Sequence, residues 1–223
     1  MKKKVIISWS SGKDSALTLE RLLQDSNYEV VGLYTTYVGD EVPFQVTPLP
    51  VVEMQSKLIG LPLISIELPE VFPANEVYQS TIINALKQSN LEIEAVAFGD
   101  MFCNGIADYR RSYIEPAGWE CVFPLMGQSS NDLANEIINL GIRTWLVTVD
   151  GNALNSEFCG KLYTKELLEA LPEDVDPCGE DGEFHTLVTH APCFKGYLEI
   201  NKTEIEKGKR FTHQRYEAIL HPE

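Results

Sequence analysis

Apolar and polar positions follow two rhythms along the chain. Residues 4–9, Lys-Val-Ile-Ile-Ser-Trp, form an uninterrupted run of β-formers, as expected of a strand covered on both faces, and residues 16–23 carry Leu19, Leu22 and Leu23 at helical spacing. Residues 28–37, rich in Val, Tyr and Thr, predict a second strand. Gly39 with Pro43, Pro48 and Pro50 makes 38–50 a loop, after which a helix is predicted over 51–58, a strand over 61–66 and a helix over 75–86. A further strand over 93–98 ends at Gly99-Asp100. Beyond it the pattern predicts a helix at 108–113, a short strand at 121–124, a helix at 131–140 and a strand at 144–149. The texture then changes. Residues 162–171 read as a helix with Gly160-Lys161 at its start, 172–183 (PEDVDPCGEDGE) as a loop of Pro, Gly and acids, and 184–188 and 194–200 as strands. There is no internal repeat or low-complexity tract.

Strands alternating with helices imply right-handed βαβ units and a parallel sheet covered on both faces. A soft boundary near Pro124 divides an α/β domain, residues 1–124, from a smaller α+β domain, residues 125–223. Ligands of such sheets lie at the carboxyl ends of the strands, where both residues 10–15 and Gly99-Asp100 fall. One shared site is therefore expected.

Composition narrows the classes. A chain of 223 residues that is 44% hydrophobic can bury a sizeable core, which argues against disorder. The formal charge of −15 opposes long-range attraction to a polyanion and disfavours a broad nucleic-acid surface, but leaves room for a small anion held by a local cradle of N–H groups. The basic start, MKKK, precedes an apolar run of only residues 5–7, too short for a secretory or membrane segment, so a soluble cytoplasmic protein is expected. Five cysteines, Cys103, Cys121, Cys159, Cys178 and Cys193, include no C-x-x-C pair and read as reduced core or pocket thiols rather than a disulfide or zinc framework.

Ser10-Ser11-Gly12-Lys13-Asp14-Ser15 follows the first strand and opens the first helix. One reading is a helix cap, with Asp14 or Ser15 accepting an N–H bond. That leaves Gly12 beside Lys13 and three serines in six residues without a reason. A phosphate cradle supplies one: glycine admits close backbone approach, amides and hydroxyls donate to oxygens, and Lys13 neutralises charge. Walker A spacing is absent, since Ile7 stands at its first glycine position and Asp14 follows the lysine. The stretch resembles instead the PP-loop, S-G-G-x-D-S, of N-type ATP pyrophosphatases, with Ser11 in place of the first glycine. A positive φ at Ser11 would carry strain.

The second unusual stretch, Asp176-Pro177-Cys178-Gly179-Glu180-Asp181-Gly182-Glu183-Phe184-His185-Thr186, reads alone as an acidic surface turn. Taken with the PP-loop and Gly99-Asp100, it makes the chain resemble the diphthine-ammonia ligase family of PP-loop ATPases, whose members share S-G-G-K-D-S and G-E-x-G-E-[FY]-[EH]-T segments. The resemblance runs from Val5 to about Ile200 and takes in Tyr109-Arg110-Arg111 and Phe123-Pro124-Leu125. It implies an adenine nucleotide α-hydrolase-like (HUP), doubly wound parallel sheet with a smaller C-terminal α+β domain. It also implies an AMP-forming amide ligase that adenylates a carboxylate and transfers ammonia.

On that resemblance ATP would lie on Ser8, Trp9, Ser10, Ser11, Gly12, Lys13, Asp14, Ser15 and Gly99, with Mg2+ on Asp14 and Asp100. The catalytic set would be Lys13, Asp14, Asp100, Glu180, Glu183 and His185, the last three deprotonating or holding ammonium. The carboxylate substrate, a small molecule or a protein, would meet Arg110, Arg111, Gly179, Gly182 and Thr186. Arg110 and Arg111 can equally be a solvated helix face. Cys178 is disfavoured as a nucleophile, because adenylation needs no thiol and the adjacent acids raise its pKa. His190, His213 and His221 lack metal-ligand spacing. Ser11 and the D-P-C-G-E-D-G-E-F-H-T form look like bacterial members of the family, where diphthine is not the expected acceptor. No nucleic acid or membrane is expected as partner, and a homodimer is compatible with the chain. Two rival readings stand beside the ligase, a PP-loop tRNA-modifying enzyme and a non-catalytic ATP- or AMP-binding protein.

Overall fold

A computed structural model describes residues 1–102 and 105–223, so Cys103 lies outside the described residues. The first half of the chain builds β1 (Lys3–Ser8), α1 (Lys13–Gln24), β2 (Tyr28–Tyr37), the two-residue strands β3 (Glu41–Val42) and β4 (Thr47–Pro48), α2 (Leu49–Ile59), β5 (Leu63–Glu67), α3 (Asn75–Gln88), β6 (Ala95–Ala97), α4 (Ile106–Ile114) and β7 (Glu120–Val122). Its other five strands form an all-parallel sheet in the order β5-β2-β1-β6-β7. The order reverses between β1 and β6, the switch point at which a crevice opens in doubly wound sheets.

β1 shows why this sheet reads as continuous apolar runs. Val5, Ile6 and Ile7 are all 0% exposed. Val5 and Ile7 pack into a core with Leu17 and Leu19 of α1 and Val52 of α2, while Ile6 faces a second core with Ile82 of α3 and Ile114 of α4. Helices thus cover both faces, as the pattern predicts.

The second half adds α5 (Ser130–Asn139), β8 (Arg143–Asp150), α6 (Lys165–Ala170), β9 (Phe184–His190), β10 (Gly196–Lys207) and β11 (Phe211–Pro222). Its sheet is antiparallel in the order β10-β11-β8-β9. The doubly wound sheet with a smaller α+β unit is therefore what the chain forms. The larger core runs through both halves, joining Val5 and Leu17 to Leu146, Phe184 and Leu187. No helix among the described residues is long and apolar enough to cross a membrane.

Four local expectations change. The helix read over 162–171 begins only at Lys165, capped by the Thr164 hydroxyl. Residues 160–163 run instead along β8, with Leu146 N–H donating to Lys161 O at 2.9 Å and Tyr163 N–H to Thr144 O at 2.8 Å. β11 was not anticipated, because its charged and apolar residues show no clean alternation on a hairpin that is largely exposed. The loop over 38–50 holds the β3–β4 hairpin, with Phe44 and Val46 at φ +67° and +52°. Leu23, grouped by spacing with Leu19 and Leu22, is 50% exposed, whereas Ala16 and Leu17 are buried because β9 covers α1 on a second side.

Gln55 joins the halves. Fully buried on α2, its side-chain carbonyl accepts from Trp9 Nε1 at 2.8 Å, and its amide donates to Val188 O of β9 at 2.7 Å and Ser11 O at 3.2 Å. Replacing it with an apolar side chain strands these groups, at a cost of roughly 1–3 kcal/mol for each one left unpaired. Gln55→Leu is expected to lower unfolding stability by about 2–4 kcal/mol in urea titrations, with Gln55→Glu no better tolerated, since a buried carboxylate cannot donate to the two carbonyls.

Candidate active site

The polar loop after β1 takes the conformation its chemistry requires. Gly12 is the residue before α1, and its first amide is taken by Thr186 of β9 rather than by a side chain of the loop, so the capping role weighed for Asp14 and Ser15 is not what the structure shows. Ser15 Oγ instead donates back to Gly12 O at 2.8 Å, and Ser10 Oγ lies 3.3 Å from Ser15 Oγ. Beyond the Lys13 amide, a helix start presents its remaining first-turn amides and the positive end of its dipole to an anion. Ser11 adopts φ +71°, the left-handed conformation that glycine adopts without strain. Its carbonyl accepts from Val188 N–H at 2.9 Å, and its hydroxyl donates to Thr47 Oγ1 at 3.1 Å, so the surroundings hold the strained residue in place.

Most of the loop faces protein rather than solvent. Ser11, Gly12 and Lys13 are buried beneath β9, and Lys13 N–H donates to Thr186 Oγ1 at 3.1 Å. A Cβ on Gly12 would lie 2.7 Å from Gln45 Nε2 and 3.2 Å from Thr186 O, which is why glycine stands there. Thr186 is thus a clamp between the two motifs.

Three adjoining clefts open at the carboxyl ends of the strands. The central one, about 190 Å³, is lined by Ser8, Ser10, Asp14, Ser15, Phe98, Gly99, Asp100, Arg110 and Glu180. On one side a cleft of about 320 Å³ runs past Trp9, Thr35, Thr36, Phe44, Tyr78 and His185, and on the other a cleft of about 460 Å³ runs past Met101, Tyr109 and Glu180. A Cβ at Gly99 would sit 3.0 Å from the Asp14 backbone, a close approach of the β6 end to α1 that brings Asp14 and Asp100 to one wall.

The charges are paired. Lys13 Nζ donates to both carboxylate oxygens of Asp14 at 2.9 and 2.8 Å, and Arg110 Nε donates to Asp100 at 3.1 Å while its plane lies 4.7 Å over the Phe98 ring. Burial pulls the Lys13 ammonium down, but Asp14 outweighs it and holds the group above the usual lysine range. Burial likewise lifts Asp14 above the ordinary carboxylate range in spite of Lys13. Glu180 is pushed up to about 7, first by burial and then by the Asp14 charge, with Lys13 opposing. His185, in the adjoining cleft with its ring 6.0 Å from that of Phe44, is driven down to about 4 by burial and by Lys13, and is neutral at physiological pH.

The remaining expected residues lie elsewhere. Glu183 is 4% exposed, and its two carboxylate oxygens accept from Asp176 N–H at 2.9 Å and Asp181 N–H at 3.0 Å, so it organises the loop and does not line the clefts. Gly179 and Gly182 supply the positive φ values, +70° and +85°, that turn this loop. Arg111 points away, pairing with Asp108 and Glu115 along α4. Cys178 is buried, donates to Ser130 O at 3.3 Å and is raised to about 12 by burial, which leaves it an inert thiol. Sequence reasoning missed Thr35, Phe44, Gln45 and Gln55. Gln55 alone left a trace, as a polar residue four after Val51 and three before Leu58 on the buried face of α2.

Two carboxylates with serine hydroxyls are hard oxygen donors that suit Mg2+, which binds through one or two carboxylates and substrate phosphates. No cluster of three His, Cys, Asp or Glu able to hold a metal gathers among the described residues, so such an ion would depend on the phosphates. For a nucleoside, the fitting feature is Thr35, a residue of the 320 Å³ cleft whose buried hydroxyl has no hydrogen-bond partner.

Residues 3–120 match the diphthamide synthase N-terminal domain and residues 129–219 the diphthamide synthase C-terminal domain. A curated diphthine–ammonia ligase of Schizosaccharomyces pombe (strain 972 / ATCC 24843) is 23% identical over 229 residues, covering 91% of this chain and 37% of that protein. The chain thus spans little more than a third of that relative's length. Among solved structures, a predicted subunit of tRNA methyltransferase from Methanocaldococcus jannaschii DSM is 18% identical over 66% of this chain and 78% of its own, with a TM-score of 0.40. The U34-tRNA thiolase NcsA from Methanococcus maripaludis with its 4Fe-4S cluster is 15% identical over 62% of this chain and 57% of its own, with a TM-score of 0.36. At these scores neither structure bears on the chemistry.

Two stability measurements test the site's construction. Ser11→Gly relieves a backbone cost of about 1 kcal/mol and loses one hydroxyl bond of similar worth, so it is expected within about 1 kcal/mol of wild type, whereas Ser11→Val loses more than about 2 kcal/mol. Glu180 behaves oppositely to a salt-bridged acid. Its folded pKa of about 7 exceeds the ordinary 4.5, so the native state pays for the carboxylate as pH rises through that window. Glu180→Gln is expected to be neutral at pH 4 and stabilising by roughly 1–3 kcal/mol at pH 8, measured by urea unfolding.

Proposed function

The chain belongs to the diphthamide synthase family, matched across both of that family's domains, and on that premise we propose that it is an ATP-dependent, AMP-forming C–N ligase that adenylates a carboxylate and then transfers ammonia to it. The observation that carries this reading is that Glu180, from the second motif, lines the same 190 Å³ cleft as Ser10, Asp14 and Ser15 of the PP-loop. A phosphate cradle and a base titrating near neutrality then face one reaction centre.

In the first step an oxygen of the substrate carboxylate attacks the α-phosphorus of ATP, and pyrophosphate leaves. Donors aimed at the leaving oxygens lower that barrier, and the α1 amides that follow Lys13, the Ser10 hydroxyl, and Lys13 and Arg110 once drawn from their carboxylates would serve it. Mg2+, held by Asp14 and Asp100 when bound, would neutralise charge on the phosphates. In the second step ammonium gives a proton to a base, the freed nitrogen attacks the acyl carbon, AMP departs with the electron pair of the broken C–O bond, and the nitrogen sheds a second proton to solvent to leave the neutral amide. Glu180 fits that base, because half of it is ionised near pH 7 and it still accepts a proton readily. His185, neutral and beside Phe44, lies toward the nucleoside end rather than sharing this role. Glu183 keeps the loop that carries Glu180 in shape. The acceptor carboxylate enters from the 460 Å³ side, which Glu180 and Asp100 also line.

Incubation with ATP, ammonium and a panel of carboxylates, resolving AMP, ADP and pyrophosphate, tests the assignment. AMP and pyrophosphate are expected in step with amide; ADP with orthophosphate would exclude attack at the α-phosphorus. Glu180→Gln is expected to lower kcat about 10²-fold or more with ATP affinity kept. The wild-type rate should rise with pH to a plateau above about 7, a rise that the variant loses.

A further inference from the structure

The central cleft presents three carboxylates, Asp14, Asp100 and Glu180, and a single cation, Arg110, among the described residues that line it. That is a poor surface for a tripolyphosphate. Moreover, each cation near the cleft is engaged. Lys13, only 2% exposed, grips both oxygens of Asp14, and Arg110 donates through Nε to Asp100 and through Nη1 to the Tyr78 and Tyr113 hydroxyls at 3.4 and 3.3 Å. Each pair therefore joins one candidate metal ligand to one candidate phosphate ligand.

We propose that these two ion pairs are a charge-exchange lock that makes divalent metal and ATP bind as one unit: the metal takes Asp14 and Asp100, and the phosphates take the Lys13 and Arg110 that those carboxylates release. The inference rests on the ATP reading above and adds to it the order of events and the role of Arg110, which becomes a phosphate-binding residue only once Asp100 has let it go. The physical reason is balance. Moving a partly buried cation off its carboxylate leaves the carboxylate uncompensated unless another cation arrives, and bringing a metal to the carboxylates leaves the side-chain cations uncompensated unless an anion arrives. Either ligand alone meets this cost, and the two together cancel it. Linkage makes the effect reciprocal, so the factor by which Mg2+ tightens ATP is the factor by which ATP tightens Mg2+.

Calorimetric titration of the full chain with ATP, in EDTA and in excess Mg2+, reads the lock without turnover. Wild-type protein should bind ATP at least about 10-fold more tightly with Mg2+, and Mg2+ alone only weakly. Asp100→Asn frees Arg110, so metal-free ATP should bind about 5- to 10-fold more tightly while the gain from Mg2+ shrinks. Loss of a negative charge would also favour ATP, and the double variant separates the two causes: in an Arg110→Gln background the Asp100→Asn gain should fall below about 2-fold. Equal gains in both backgrounds mean simple repulsion and overturn the lock, as does wild-type binding that is equal with and without Mg2+. ATP binding in no condition overturns the nucleotide reading itself, and the lock with it. Circular dichroism and melting curves check folding. Should Arg110→Gln fail to fold, the same cycle on Asp14→Asn and Lys13→Met decides the question.

Discussion

Docking of β9 against the loop between β1 and α1 is the contact on which the site depends. Thr186 accepts from the Lys13 amide, Val188 donates to the Ser11 carbonyl, and Gln55 reaches from α2 to Ser11, Val188 and Trp9 together. All of these groups are buried, so any one left unpaired is costly, and the loop and the strand specify each other's position. The same contact accommodates the strained φ of Ser11, whose carbonyl takes two donors from opposite elements. It also sets the distance between the two motifs, because β9 begins at Phe184, directly after the loop that Glu183 organises.

Division of labour within that second motif follows from where each carboxylate points. Glu183 accepts backbone amides of its own loop on both oxygens, whereas Glu180, three residues earlier, lines the cleft with its ionisation shifted toward neutrality. Gly179 and Gly182 bracket Glu180 and turn the chain there at positive φ. An acidic loop that resembles a surface turn is in this way a rigid mount for one carboxylate. The electrostatics of the cleft extend the same logic. Its acids outnumber its cations, a ratio that suits a site completed by a metal carried in with its phosphates rather than one preformed on the protein.

Much of the fold was legible in the chain. Parallel strands buried on both faces must be apolar at every position, and β1, with Val5, Ile6 and Ile7 fully buried, announced this directly; helices covering such a sheet show their periodicity for the same reason. Where the tertiary surroundings are one-sided or exposed, the pattern failed. β11 lies on a hairpin with mixed residues on both faces, and residues 160–163, read as the start of a helix, are drawn into extended pairing with β8.

The sequence by itself determined which chemistry was available: a glycine and lysine among serines after the first strand, an aspartate at the end of another, and a glutamate between glycines, since residue type and local backbone freedom are properties of short segments. It also determined the parallel sheet, because burial on two faces writes itself into every residue of a strand. Only the tertiary structure decided which of those residues face one another. Arg110 turns inward over Phe98 while Arg111, one residue on, turns out, and Glu180 meets the cleft while Glu183 does not. Neighbours in sequence part company there because a helix rotates successive side chains by about 100° and a glycine-flanked turn reverses them. Which side then faces the cleft is set by packing between segments more than a hundred residues apart, as between Lys13 and Thr186.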